Sequence, residues 1–153
     1  FDRLQEMEHV LIIGNDVLRE INGFENLYRI SRDLSIVHNA VLTSLHGFGS
    51  LSQVGRCSIL DNPQLPSLNG LQSLVQVGEL VVVENLVLAD VRAFSRLSSL
   101  ERLHLEKNRE LADLCPLRAA VNAPDFKPAF YKIALNAYNP SYYEMVDGDC
   151  SRE

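Results

Sequence analysis

A chain of 153 residues, 46% hydrophobic and 22% charged, is long enough for one ordinary domain with a sizeable core, which excludes a disordered chain. Its net charge of −6 argues against a nucleic-acid backbone or an anionic membrane as the main partner. No apolar run reaches the roughly 18 residues that a membrane span requires, so no transmembrane segment is expected. The start at Phe1, with neither Met nor a signal peptide, reads as a processed or cut form.

From Val10 onward the chain repeats itself. With an asparagine as the zero of each repeat, Asn15, Asn39, Asn62, Asn85 and Asn108 follow at intervals of 24, 23, 23 and 23 residues. Five residues before the zero stand Val10, Leu34, Cys57, Leu80 and Leu103; three before it stand Ile12, Ile36, Ile59, Val82 and Leu105. Leu18, Leu42, Leu65, Leu88 and Leu111 come three after it. The additional residue of the first interval falls among Ser31, Arg32 and Asp33.

These rows predict a solenoid. The residues before each asparagine alternate as a short strand, and strands of successive coils stack about 4.8 Å apart into a parallel sheet. The aliphatics five and three before the zero point inward. The asparagine turns the chain out of the strand, and its amide, with donors and an acceptor, bonds backbone groups of its own and neighbouring turns. Asn15, Asn39, Asn62, Asn85 and Asn108 therefore read as a structural ladder.

The motifs LSIVHNAVLTSLHGFGSLSQVG and CSILDNPQLPSLNGLQSLVQVG resemble the leucine-rich-repeat-like solenoids of the receptor L-domain kind, as in bacterial secreted or cell-surface repeat proteins. The resemblance spans Val10 to Leu114, and YKIALNAYNPSYYEMVDGDC is similar to the closing segment of such proteins. It implies a right-handed repeat solenoid with a parallel β-sheet of about six strands, short turns or 3-10 and helical segments, and a C-terminal cap helix. The aliphatic after the asparagine stands at plus three, not the plus two of ordinary leucine-rich repeats, which favours the L-domain-like relatives.

Residues 1–121 read as the solenoid of five repeats of ~23 residues, and 122–153 as a capping segment of the same domain. After Leu114 the frame decays: Leu117 to Val121 reads as a helical turn and 122–128 as a loop. Tyr131, Ile133 and Asn136 restore the frame as a sixth strand. Asn139 then reads as the N-cap of a helix over Ser141 to Val146, with Pro140 in its first turn and Gly148 as its stop.

Cys57 belongs to an inward row and reads as an inert buried thiol. Cys115 and Cys150 bracket the closing segment and read as a disulfide that pins it, which implies a secreted, periplasmic or cell-surface protein. The cysteines make no CxxC or Cys/His spacing, so neither a metal nor any other cofactor is expected. The only Asn-x-Ser/Thr match, at Asn139, has proline in the middle, and the lack of a sequon favours a bacterial source.

The outward face of the sheet is where a solenoid usually binds. Its row two before the zero is Ile13, Val37, Leu60 and Val83, then Glu106; the row four before is Leu11, Ser35, Ser58, Val81 and His104. The first is an apolar stripe, which marks either a partner site or a face covered by another segment. The row six before alternates in charge over Asp33, Arg56, Glu79 and Arg102, as cross-strand pairs would. His104 and Glu106 share a face near Lys107, but no nucleophile or third ligand recurs beside them. The expectation is a non-catalytic extracellular recognition or adhesion module that binds a protein or glycan, with self-association through the stripe as a further outcome. The alternatives are a structural spacer in a larger surface protein and a carbohydrate-active enzyme. Candidate contacts are Ile13, Val37, Leu60, Val83, Ser35, Ser58, Val81, His104 and Glu106.

Overall fold

The structure, a computed structural model, describes residues 3–152; residues 1, 2 and 153, at the outer ends of the two expected regions, lie outside the described residues. Six strands form one parallel sheet in sequence order: β1 (Glu6–Ile13), β2 (Arg29–Val37), β3 (Gln53–Leu60), β4 (Gln76–Val83), β5 (Ser99–Glu106) and β6 (Tyr131–Ala134). The helices are short, α1 (Arg118–Val121) and α2 (Tyr142–Asp147), with 3-10 turns at His46–Phe48, Arg92–Phe94, Cys115–Leu117 and Pro128–Phe130. The chain is a repeat solenoid.

Alternation along each strand sends every second side chain inward, and the register lines these up between coils. Leu34, Cys57, Leu80 and Leu103 stand side by side, as do Ile36, Ile59, Val82 and Leu105, and none is more than 1% exposed. The surplus residue of the first interval is a bulge in β2. Ile30 pairs with Val54 and Asp33 with Arg56, so Ser31 and Arg32 together oppose Gly55. A Cβ on Gly55 would lie 2.7 Å from the carbonyl oxygens of both Ser31 and Arg32, so the bulge fits only against glycine.

The corner after each strand has a feature that the sequence does not announce. Gly14, His38, Asp61, Glu84, Lys107 and Leu135, each just before a ladder asparagine, are left-handed, with φ between 50° and 67°. That conformation costs roughly 1–2 kcal/mol for a residue with a Cβ. It is offset because the same turn aims the residue's N–H at a strand-end carbonyl of the next coil. His38 donates to Leu60 at 3.0 Å and Glu84 to Glu106 at 3.0 Å. It also swings the following asparagine into the core.

The asparagines then bond in series. The backbone N–H and Nδ2 of Asn39 both donate to Oδ1 of Asn62, at 3.2 and 3.0 Å; Asn62 repeats this on Asn85, Asn85 on Asn108 and Asn108 on Asn136. Nδ2 also reaches carbonyls of its own and the preceding coil, as Asn62 does to Leu60 and Ile36. Asn39, Asn62, Asn85 and Asn108 are fully buried, and among the described residues no buried side-chain nitrogen or oxygen lacks a partner. Leu42, Leu65, Leu88 and Leu111, three residues on, donate their N–H back to the asparagine carbonyl. The plus-three spacing is thus one closed turn.

The cap corrects one expectation. Asn139 does not cap α2. Its Oδ1 accepts from the N–H and Nδ2 of Asn136 at 2.8 and 3.1 Å, so it closes the ladder in place of another coil. The N-cap is Ser141, whose hydroxyl accepts from the Glu144 N–H while Glu144 accepts from the Ser141 N–H, a reciprocal capping box. Gly148 ends the helix at φ 101°. Cys115 and Cys150 form the expected disulfide, and the Leu114 N–H donates to the Cys150 carbonyl at 2.9 Å, so the chain end is tied to the last full coil. Phe126 stacks on Tyr142 with ring centres 5.8 Å apart, and Tyr131 meets both edge-on.

Candidate functional site

Backbone register fixes the outer face as it fixes the core. Ile13, Val37, Leu60, Val83 and Glu106 are register partners across β1 to β5, so the apolar stripe is physically continuous. Ile13 is 53% exposed, whereas Val37, Leu60 and Val83 are half-buried by neighbours on both sides. The parallel row is graded more steeply. Leu11 is 61% exposed, Ser35 and His104 are half-buried, and Ser58 and Val81 fall to 5% and 6%. Ser58 and Val81 point outward but form the floor of the face: Ser58 is small and flanked by Arg56 and Leu60, and Val81 by Glu79 and Val83. Of the helices and 3-10 turns, α1 and the turn Pro128–Phe130 are the ones that pack substantially on a strand, and that strand is β5.

At its C-terminal end the stripe gives way to charge. His104 Nε2 lies 2.8 Å from Glu106 Oε2, and Lys132 Nζ donates to the same oxygen at 2.5 Å. Lys132 first and His104 second hold the Glu106 carboxyl down to about 2. Lys132 enters the site because β6 sets it beside His104, a pairing visible in the sequence once Asn136 is taken as the sixth zero. Lys107, expected near His104 and Glu106, instead pairs with Glu84 at 2.5 Å along the left-handed corner row, where His38 pairs with Asp61 at 2.7 Å.

The charged row six before the zero pairs in twos: His9 with Asp33 at 2.9 Å, Arg56 with Glu79 at 3.6 Å. Arg102 breaks the series. Its guanidinium lies over the Phe130 ring, 4.4 Å from the centre. A recess of about 290 Å³ opens there, lined by Arg102, His104, Phe130, Lys132 and Glu79 among others. A larger open cleft of about 530 Å³ lies at the corner between Asp61, Glu84, Lys107, Arg109 and Leu135.

The one side-chain hydrogen-bond partner of His104 among the described residues is Glu106, and no group of three His, Cys, Asp or Glu among them is arranged to hold a metal. Cys57 is fully buried, and burial pushes its thiol up to about 12, so it stays protonated and inert.

Comparison with protein-family models, with curated proteins and with solved structures gives no match. The fold and the site together define a parallel-sheet solenoid with an asparagine-lined corner, an outer sheet face largely free of packed helices and a disulfide-pinned cap. No helix among its described residues is long and apolar enough to cross a membrane.

Proposed function

We propose that the chain is a non-catalytic recognition or adhesion module that binds a protein or glycan through the outer face of its sheet. The observation that carries this reading is the continuous stripe Ile13, Val37, Leu60 and Val83, set in register on a face over which no other element packs extensively. Apolar surface kept in line across four strands is favourable to cover, and a partner covers it at no cost in refolding. The repeat frame and the disulfide support kinship with leucine-rich-repeat-like solenoids of the receptor L-domain kind and a secreted, periplasmic or cell-surface setting, bacterial by its lack of a sequon.

Val37→Glu combined with Leu60→Glu tests it. A pull-down from native surface material, paired with sedimentation for self-association, should lose its partner while the melting temperature stays within a few degrees of wild type. Unfolding of the double variant would show that the row is core, and retained capture by a folded variant would move the binding site elsewhere.

A further inference from the structure

We propose that Arg102 marks an acid-binding subsite on the sheet face, which seats a side-chain carboxylate of a protein partner whose apolar residues lie along the stripe; this rests on the recognition reading above.

The charges of the face single Arg102 out. Arg56 is engaged with Glu79, and Lys132 with Glu106, whereas Arg102 has no carboxylate partner among the described residues, although Glu79 is its register neighbour. The Phe130 ring lies against the guanidinium, whose central carbon is 4.4 Å from the ring centre. The five N–H groups of a guanidinium lie in its plane, and contact with the ring restrains that plane. A planar fork held in this way matches a carboxylate through two parallel hydrogen bonds, and less side-chain freedom is lost on binding. The recess of about 290 Å³ has room for a carboxylate with its methylenes; Lys132 in its wall is paired with Glu106, and Glu79 with Arg56, so Arg102 is the lining cation left for an incoming acid. The chain as a whole carries −6, so an acidic group is favoured here and repelled over much of the remaining surface.

The same face favours a polypeptide over a glycan. The three outward rows contain no Phe, Tyr or Trp and no Asn or Gln, the flat rings and amides that suit sugar rings and their hydroxyls, and the Phe130 ring beside them is covered on one face by Arg102. They offer aliphatic side chains, which bury apolar side chains. Arg102 lies one strand and four residues from Val83, about 14 Å in sheet geometry. The partner should therefore present an aliphatic residue and an acidic one some three or four extended residues apart.

The test is a titration of the 15N-labelled chain with acetyl-Leu-Val-Ser-Glu amide and with its counterpart ending in Gln. The Glu peptide should bind about tenfold more tightly, with shifts at Arg102, His104 and Phe130. Arg102→Gln, a change at an exposed side chain, should reduce its affinity to that of the Gln peptide, and Arg102→Lys should keep part of the preference. Equal binding of both peptides along the stripe would overturn the subsite and leave the recognition face standing. No shift on the face with either peptide would overturn both, and shifts at Arg19 or Arg109 as large as those at Arg102 would mark non-specific attraction and overturn the subsite.

Discussion

The first and last described coils of the solenoid are covered to different degrees. A coil stacked on both sides buries everything that points inward; a terminal coil has one side to spare. At the C-terminal end that side is covered several times over: Asn139 stands in for the next asparagine, aromatic side chains stack beneath α2, and Cys150 is bonded to Cys115. At the N-terminal end Ile12 and Leu18 are half-buried where Ile36 and Leu42 in the next coil are fully buried, and Leu11, Ile13 and Val17 are exposed. Phe24 is also half-buried, although it stacks on Phe48 at 5.2 Å. The difference teaches that the repeat frame alone does not finish a solenoid. The C-terminal cap uses groups outside the repeat, and its stability should depend on them more than on any single coil.

The largest effect should come from the cap. Cys115→Ala with Cys150→Ala releases a loop spanning 35 residues and should cost about 3–4 kcal/mol on the chain-entropy model, a fall in melting temperature of roughly 10 °C. Thermal melts with and without reductant check it, and an unchanged melt would show that the aromatic cluster closes the end alone. Next comes the ladder. Asn85→Ala leaves the buried Asn62 N–H without its acceptor and removes the Nδ2 bonds to the Ile59 and Val83 carbonyls, and should cost about 2–3 kcal/mol by denaturant titration. Asn15→Ala, at the exposed end, should cost about 0.5 kcal/mol. Equal costs at both positions would remove the distinction between an open and a closed end.

A smaller effect separates the corner residues at the two ends. The left-handed position holds Gly14 in the first coil and Leu135 in the last, and Leu135 is 62% exposed. Leu135→Gly should stabilise by about 0.5–1 kcal/mol, the relief of the Cβ clash less the added freedom of the unfolded chain. The last effect is one of pH. The carboxyl of Glu106 is held at about 2 against an ordinary 4.5, so its ion pairs stabilise the fold above about 4.5 and are lost as pH falls through 2. Glu106→Gln should melt below wild type at neutral pH, with the gap closing between those two values. A gap constant down to pH 2 would show that Lys132 and His104 contribute nothing through charge.

Much of the fold was legible because stacking repeats each constraint. The asparagine zeros, the inward rows, the site of the bulge near Ser31 and the return of the frame at Tyr131 all follow from spacing. The left-handed row was hidden because its occupants, Gly14, His38, Asp61, Glu84, Lys107 and Leu135, have no side-chain chemistry in common. What they share is a backbone position imposed by the coil, which overrides local preference. Asn139 was misread for a related reason. An asparagine before proline and serine suits a helix N-cap, and nothing local distinguishes a side-chain oxygen that accepts from a helix from one that accepts from Asn136. On the candidate face the rows were legible but the depth was not. Alternation says which way Ser58 and Val81 point, whereas their shielding depends on the size of the side chains around them. The exception of Arg102 depends on Phe130, which reaches the sheet through a turn outside the repeat.

The asparagine column also has a direction. Between neighbouring asparagines the N–H and Nδ2 donate forward to the Oδ1 of the next, from Asn15 to the final acceptor Asn139. Units joined by such one-way contacts can be removed whole without any junction having to be rebuilt. Loss of the 23 codons for residues 63–85 would bring Asn62 directly before Leu86 and pass the column from Asn62 to Asn108 unbroken. The length of this protein is therefore open to change by recombination in steps of one coil, and a deletion variant that still melts cooperatively would show it.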